Sequence, residues 1–168
     1  MDNFKMNYFE LFQIEQRYDV DLAKLQTQYF ALQAKYHPDI PGADAQSLDL
    51  SMQLNEGYRI LKDDYLRAEY YLRLKGVEFD DRLLKNRLSE EELATIMEQL
   101  EELEELEDYG LLSAMHDSKL AEKKAMIINL TKCFIQNKLD QALDITIRLK
   151  YLTNLVGNIK SKIKNANN

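Results

Sequence analysis

The sequence predicts an all-α protein in two parts: short helices around an antiparallel helix pair over residues 1–76, then a three-helix bundle over residues 77–168, with a linker at about 77–87. Three observations predict this. Leu, Glu, Lys and Gln abound while 168 residues hold only 5 Gly and 2 Pro, so few positions resist a helix. Apolar residues recur at intervals of three and four, the period of one helix face. The pattern pauses from Val77 to Arg87, which divides the two parts.

Tyr8 to Phe12 form a short first helix whose Tyr8, Leu11 and Phe12 pack on the next. Leu22, Leu25, Tyr29, Leu32 and Tyr36 follow at intervals of 3, 4, 3 and 4, one continuous apolar stripe. Asp21 is the N-cap, and Pro38 ends the helix by driving His37 out of the α region. His37, Pro38 and Asp39 therefore stand on an exposed loop that runs through Ile40, Pro41 and Gly42 to Ala45, and it holds both prolines of the chain. A third helix runs from roughly Gln46 to Leu61 with Leu54, Tyr58 and Leu61 inward. Gly57 costs it about 1 kcal/mol of propensity relative to Ala, which a close helix crossing would explain. Asp63 and Asp64 cap a fourth helix carrying Leu66, Tyr70 and Leu74, and Gly76 closes it as a C′ glycine.

Ser89 and Glu92 make a capping box for a helix to about Asp108, ended by Gly110. A second long helix runs from about Ser118 to Gln136 with Leu120, Ile127, Ile128, Phe134 and Ile135. A third runs from about Asp140 to Lys164, with Ile145, Leu149, Leu152, Val156, Ile159 and Ile163 in 4-3-4-3-4 spacing. Three such helices on short loops imply an antiparallel bundle. Every charge from Glu90 to Asp108 is acidic and the later helices are mainly basic, which favours their packing.

Composition narrows the function. Apolar residues make up 45% and charged residues 30%, as in globular proteins. No stretch approaches the roughly 18 apolar residues of a membrane span. The N-terminus lacks the apolar core of a secretory signal, so the expected compartment is the cytoplasm. Cys133, His37 and His116 leave no disulfide framework and no zinc constellation. A net charge of −7 argues against nucleic acid as partner. No membrane partner, cofactor or metal is expected.

His37 and Asp39 admit several readings. As catalysts they lack a nucleophile motif beside them, and as metal ligands they lack company. They can equally present a carboxylate to a cation on another protein, or form an ordinary turn. A chance His-Pro-Asp in this length is roughly a one-in-a-hundred event. The tripeptide has company, however. Tyr8-Phe9-Glu10-Leu11-Phe12, Tyr36-His37-Pro38-Asp39, Leu54-Asn55-Glu56-Gly57-Tyr58 with Leu61, and Arg67-Ala68-Glu69-Tyr70 together resemble a J-domain. That module stimulates ATP hydrolysis by heat-shock chaperones of the HscA/DnaK class. The resemblance implies that residues 1–76 are a J-domain, that Asp39 pairs with a chaperone arginine, and that Lys24 and Lys35, with His37 and Pro38, belong to the chaperone contact. Ile40 replaces the lysine that commonly follows the tripeptide, and Lys24 and Lys35 are the only cations on this helix. The chaperone contact is therefore expected to be weak unless a client strengthens it.

The second half lacks the Gly/Phe-rich linker and zinc-binding repeats of general-purpose J-proteins. Ile96-Met97-Glu98-Gln99-Leu100-Glu101-Glu102-Leu103-Glu104-Glu105-Leu106, with Arg148-Leu149-Lys150-Tyr151-Leu152, resembles the C-terminal domain of HscB-type co-chaperones. The resemblance implies a non-enzymatic adaptor that binds an IscU-type iron–sulfur scaffold protein and brings it to the chaperone HscA. At 100° per residue, Leu93, Ile96, Met97, Leu100, Leu103 and Leu106 spread over about 180°, wider than the stripe a packed helix needs. The excess lies toward Met97. Glu104 falls between Met97 and Leu100, and Glu101 lies beside Met97. An apolar strip edged by carboxylates reads as a partner surface; the alternative is that all are core residues with glutamates at the rim. Ile96, Met97, Leu100, Glu101, Glu104 and, off the seam of the last helix, Tyr151 are thus the expected scaffold contacts. A general chaperone with unrelated clients stays open as the alternative. Cys133 reads as structural and His116 as a loop or cap residue.

Overall fold

The computed structural model describes residues 7–37, 39–40, 44–80 and 86–166. Pro38, Pro41, Gly42 and Arg82 to Lys85 fall outside them. Among the described residues are seven helices: α1 (Tyr8–Leu11), α2 (Leu22–Tyr36), α3 (Ala45–Lys62), α4 (Asp64–Leu74), α5 (Glu90–Glu105), α6 (Tyr109–Ile135) and α7 (Leu139–Ala166). No strand is present among them. The chain divides into two compact units, Met1–Tyr71 and Leu72–Asn168.

In the first unit α2 and α3 run antiparallel, because Gln33 meets Ser51 while Tyr29 meets Asn55 and Tyr58. Asp21 caps α2 by accepting from Lys24 N–H, and Asp44 caps α3 by accepting from Ser47 N–H. Asn55 Oδ1 accepts from Tyr29 Oη at 2.8 Å and from Gln33 Nε2 at 2.6 Å, and the Tyr29 and Tyr58 rings stack at 4.1 Å. The short α1 crosses α3 at Gly57. A Cβ there would sit 2.7 Å from Tyr8 Cδ1 and 3.0 Å from Phe12 Cε2, so the crossing requires glycine and outweighs its propensity cost. Phe9 and Phe12 fill the core beneath α1, with Leu25, Leu54 and Leu61.

Burial corrects the expected stripes in this unit. Tyr8 is only half-buried and Phe9 takes its place, while Leu22 is exposed. On α4 the buried face is Arg67, Ala68, Tyr71 and Leu72, one position off the expected Leu66, Tyr70 and Leu74. Arg67 turns this face inward because its guanidinium has three acceptors there: Tyr18 O at 2.8 Å, Leu61 O at 2.7 Å and Asp64 Oδ1 at 2.8 Å. It also lies over the Tyr18 ring. A charge this deep is tolerated only when its donors are satisfied. Gly76, at φ +79°, closes α4 with Val77 N–H bonded to Leu72 O and Gly76 N–H to Arg73 O, a Schellman cap.

The second unit is a three-helix bundle. Both arms of the capping box are present: Glu92 N–H donates to Ser89 Oγ and Ser89 N–H to Glu92 Oε2. α6 packs on α7 as an antiparallel hairpin, turning at Asn137, which adopts φ +54°. α5 runs parallel to α7, since Glu92 meets Arg148 and Leu103 meets Lys162. Leu103, Leu112, Leu155 and Ile159 form a core cluster where the three helices meet.

Here too the sequence expectations need correction. α5 ends at Glu105, and α6 begins at Tyr109 rather than Ser118, because Asp108 accepts from Leu111 N–H as an N-cap. Gly110 therefore lies in the first turn of α6 and ends nothing, and His116 is inside α6 rather than in a loop. Ile128 and Ile135 face solvent. The buried face of α7 is broader than the single seam: Leu143, Thr146, Ile147 and Leu155 join Leu149, Leu152 and Ile159, while Ile145, Val156 and Ile163 are half-buried. A central helix that meets two partners needs a wider face than one seam supplies.

Candidate protein-docking surfaces

Two surfaces carry the residues singled out by the sequence, one in each unit. The first is the turn that ends α2. His37 is the C-cap, at φ −62° and ψ 137°, an extended residue as expected before proline. Its carbonyl accepts from Ile40 N–H at 3.0 Å, closing the turn. His37 Nδ1 accepts from Asp39 N–H at 3.2 Å, and Asp39 Oδ2 lies 3.4 Å from the same nitrogen. Accepting that bond leaves Nε2 as the protonated nitrogen of the neutral ring. The Asp39 side chain is 89% exposed. The turn thus holds a carboxylate in open solvent, with the His37 imidazole set against the Asp39 backbone N–H.

Lys24 and Lys35 are exposed on α2, and at 100° per residue they share one stripe with Gln28 and Ala31. Lys35 Nζ lies 5.0 Å from the Tyr36 ring centroid. A different face of the α2–α3 pair carries Phe30, Leu48 and Met52, all exposed. Phe30, Gln33 and His37 follow at helical spacing on α2, as do Leu48, Met52 and Asn55 on α3. The Gln33–Asn55 bond joins the two rows, so this apolar patch and the His37 turn share one face. Sequence reasoning missed the patch because Phe30, Leu48 and Met52 interrupt no pattern and belong to no motif.

The second surface is α5 and the groove beside it. Exposure rises across the apolar arc: Leu103 is buried, Ile96 half-buried, Leu100 37% exposed and Met97 62% exposed. Glu101 and Glu104 are exposed beside them. Ile96, Leu100 and Tyr151 come together along a groove of about 570 Å³ between α5 and α7, whose far wall includes Met126 of α6. Leu100 also borders a second hollow with Glu104 and Lys162. Met97 and Glu101 line neither and stand on the outer ridge of α5.

Polar contacts moor α5 at both ends. At its start, Glu92 Oε1 accepts from Arg148 Nε at 2.7 Å while the other oxygen serves the capping box. The Ser89 backbone bond first, and Arg148 second, hold the Glu92 carboxyl below its ordinary range. Just before α5, Arg87 bridges Asp140 and Asp144 of α7 at 2.7 and 2.8 Å. At its end, Lys162 Nζ donates to the carbonyls of Leu103 and Glu104, both at 2.6 Å, satisfying acceptors that a helix C-terminus leaves open. Arg148 was visible only as part of a motif, and Met126 had no sequence signal. Among the described residues no group of three His, Cys, Asp or Glu side chains could hold a metal, and no helix is long and apolar enough to cross a membrane.

Comparison with known proteins bears on the same region. A family model described as the HSCB C-terminal oligomerisation domain matches residues 89–160, from the capping serine of α5 into the last turns of α7. The co-chaperone protein HscB homolog of Shewanella sp. (strain ANA-3) is 32% identical over 165 residues, 89% of this chain and 92% of its own length. The iron-sulfur cluster co-chaperone protein HscB of Homo sapiens is 30% identical over 161 residues, 93% of this chain and 68% of its own. The crystal structure of human co-chaperone protein HscB is similar with a TM-score of 0.84 at 28% identity, covering 96% of this chain and 84% of that one.

Proposed function

The chain belongs to the HscB family of co-chaperones, which act in iron–sulfur cluster assembly, and on that premise we propose that it joins two proteins without catalysing a reaction itself. Its α5 surface binds an IscU-type scaffold protein, and its His37–Asp39 turn docks on an HscA/DnaK-class chaperone and stimulates that chaperone's ATPase. The observation that carries the reading is Met97 and Leu100, exposed at 62% and 37% on a helix whose Leu103 is buried and whose Leu93 and Ile96 are half-buried. Large apolar side chains held in solvent by a folded domain, among carboxylates, suit a partner rather than a core.

On the chaperone side, Asp39 offers an acceptor to a cationic donor, and a charge-assisted pair is about twice as strong as a neutral hydrogen bond. The turn is already closed in the free protein, so little ordering is left for binding. With Lys24 and Lys35 as the cations of α2, long-range attraction is slight. Phe30, Leu48 and Met52 add apolar contact on the face that the turn shares. Bringing the scaffold on the same chain raises its effective concentration near the chaperone, which offsets a weak turn contact.

The test is direct. Titration of the purified protein with an IscU-type scaffold should show binding, and the complex should stimulate the chaperone more than either protein alone. Stimulation with no scaffold binding would leave a J-domain co-chaperone with other clients.

A further inference from the structure

We propose that the outer face of α6 pairs antiparallel with the same face of a second copy of this chain. The sequence places Ile128 and Ile135 inward, yet they stand 57% and 76% exposed, and Leu111 near the start of the helix is 58% exposed. These three belong to one row. Leu111, Ala114, Ser118, Ala121, Ala125 and Ile128 follow at intervals of 3, 4, 3, 4 and 3, and Lys132 and Ile135 extend the row by 4 and 3. Every one of them is exposed. This is an unbroken heptad seam, roughly 36 Å long at 1.5 Å per residue. It points away from Leu112, Leu130 and Phe134, the residues that α6 buries in its own bundle. A helix that served only that bundle would need one apolar face. α6 carries two.

The seam is complementary to itself. A pair related by a two-fold axis sets residue i against j and j against i. With Leu111 against Ile128 of the second copy, Ala114 meets Ala125 and Ser118 meets Ala121. Small residues at the centre then let the two backbones approach closely, and the large ones close both ends. In the same register Asp117 flanks the seam opposite Lys124 of the second copy, twice by symmetry. Both residues are exposed, and Lys124 has no acidic partner among the described residues. The competing arrangements place like charges together. Sliding by one heptad to overlap the whole seam sets Lys124 against Lys124, and a parallel pair sets Asp117 against Glu122. With Asp117 balanced by Lys124, the face also escapes the self-repulsion that a net charge of −7 imposes on the chain as a whole.

Sedimentation equilibrium of the full chain between about 1 μM and about 1 mM should give an average mass that rises toward twice that of one chain. Ala121→Glu, an exposed change at the centre of the seam, should weaken self-association about thirtyfold or more. Its helicity and melting temperature in dilute solution should match the wild type. Asp117→Lys and Lys124→Asp should each weaken self-association about tenfold, and the two together should restore it. A chain that keeps the mass of one copy throughout overturns the proposal and leaves the seam to a helix of another protein. Undiminished self-association of Ala121→Glu overturns it too, by placing the contact elsewhere. A double swap no tighter than the single changes overturns the antiparallel register.

Discussion

Asp39 and Arg67 show how differently two charged residues in one unit are used. Asp39 is exposed, and among the described residues its side chain has the His37 imidazole as its neighbour, 3.4 Å away. Removing its charge costs the fold nothing, and the loss should appear in the partner. Asp39→Asn and His37→Gln are each expected to abolish chaperone ATPase stimulation with unchanged helicity and scaffold affinity; unchanged stimulation, or a large loss of helicity, would contradict this. Arg67 is the opposite case. Its buried guanidinium ties the Tyr18 carbonyl to the α3–α4 junction through three acceptors. Arg67→Met strands those acceptors and should cost about 3 kcal/mol or more of stability, read as a lower melting temperature. Arg67→Lys should rescue little, because an ammonium cannot reproduce the planar fork.

At the scale of the element, α5 combines a buried edge, an exposed edge and polar ties at both ends. Met97→Ala with Leu100→Ala should weaken scaffold binding about thirtyfold or more and leave basal chaperone stimulation and the melting temperature unchanged. Truncating core residues instead would cost roughly 2–5 kcal/mol each, so a thermal melt beside the titration separates the cases. Glu104→Ala should weaken binding without melting the domain. Glu92 gives the helix a pH limit. Its folded-state pKa lies below the ordinary value of 4.5, so the stability it contributes is complete above that value and is lost as pH falls through the depressed one. Acid titration should loosen α5 from α7 as pH falls below the ordinary carboxyl range, and Glu92→Gln should flatten that limb of the stability curve.

At the scale of the whole molecule, each unit carries its own core. Phe9, Phe12, Leu25, Leu54 and Leu61 lie in the first, and Leu103, Leu112, Leu155 and Ile159 in the second. Residues 1–76 and 77–168, expressed separately, are expected each to fold as a helical domain, the first retaining chaperone stimulation and the second scaffold binding. Disorder of either fragment, seen by circular dichroism, would mean that the two share a core.

The sequence alone determined the class and number of these helices, the position of the exposed turn and the acidic helix. Those depend on local interactions that residue types and spacing encode: the Ser89 capping box, the helix stop before Pro38, the glycine closure at Gly76 and the apolar arc toward Met97. The residues that carried the family resemblance were mostly structural. Gly57 admits α1, Asn55 and Tyr58 tie α3 to α2, and Arg67 closes a buried junction. What only the tertiary structure decided depends on residues far apart in the chain. Spacing could not show that Asp108 starts a helix nine residues before Ser118, nor which side of α7 faces two partners. It could not show that Arg148 and Lys162 hold α5 at its ends. The groove is the clearest case. No single helix contains it, and it forms only where α5 and α7, tied through Arg148 and Lys162, face each other beside α6.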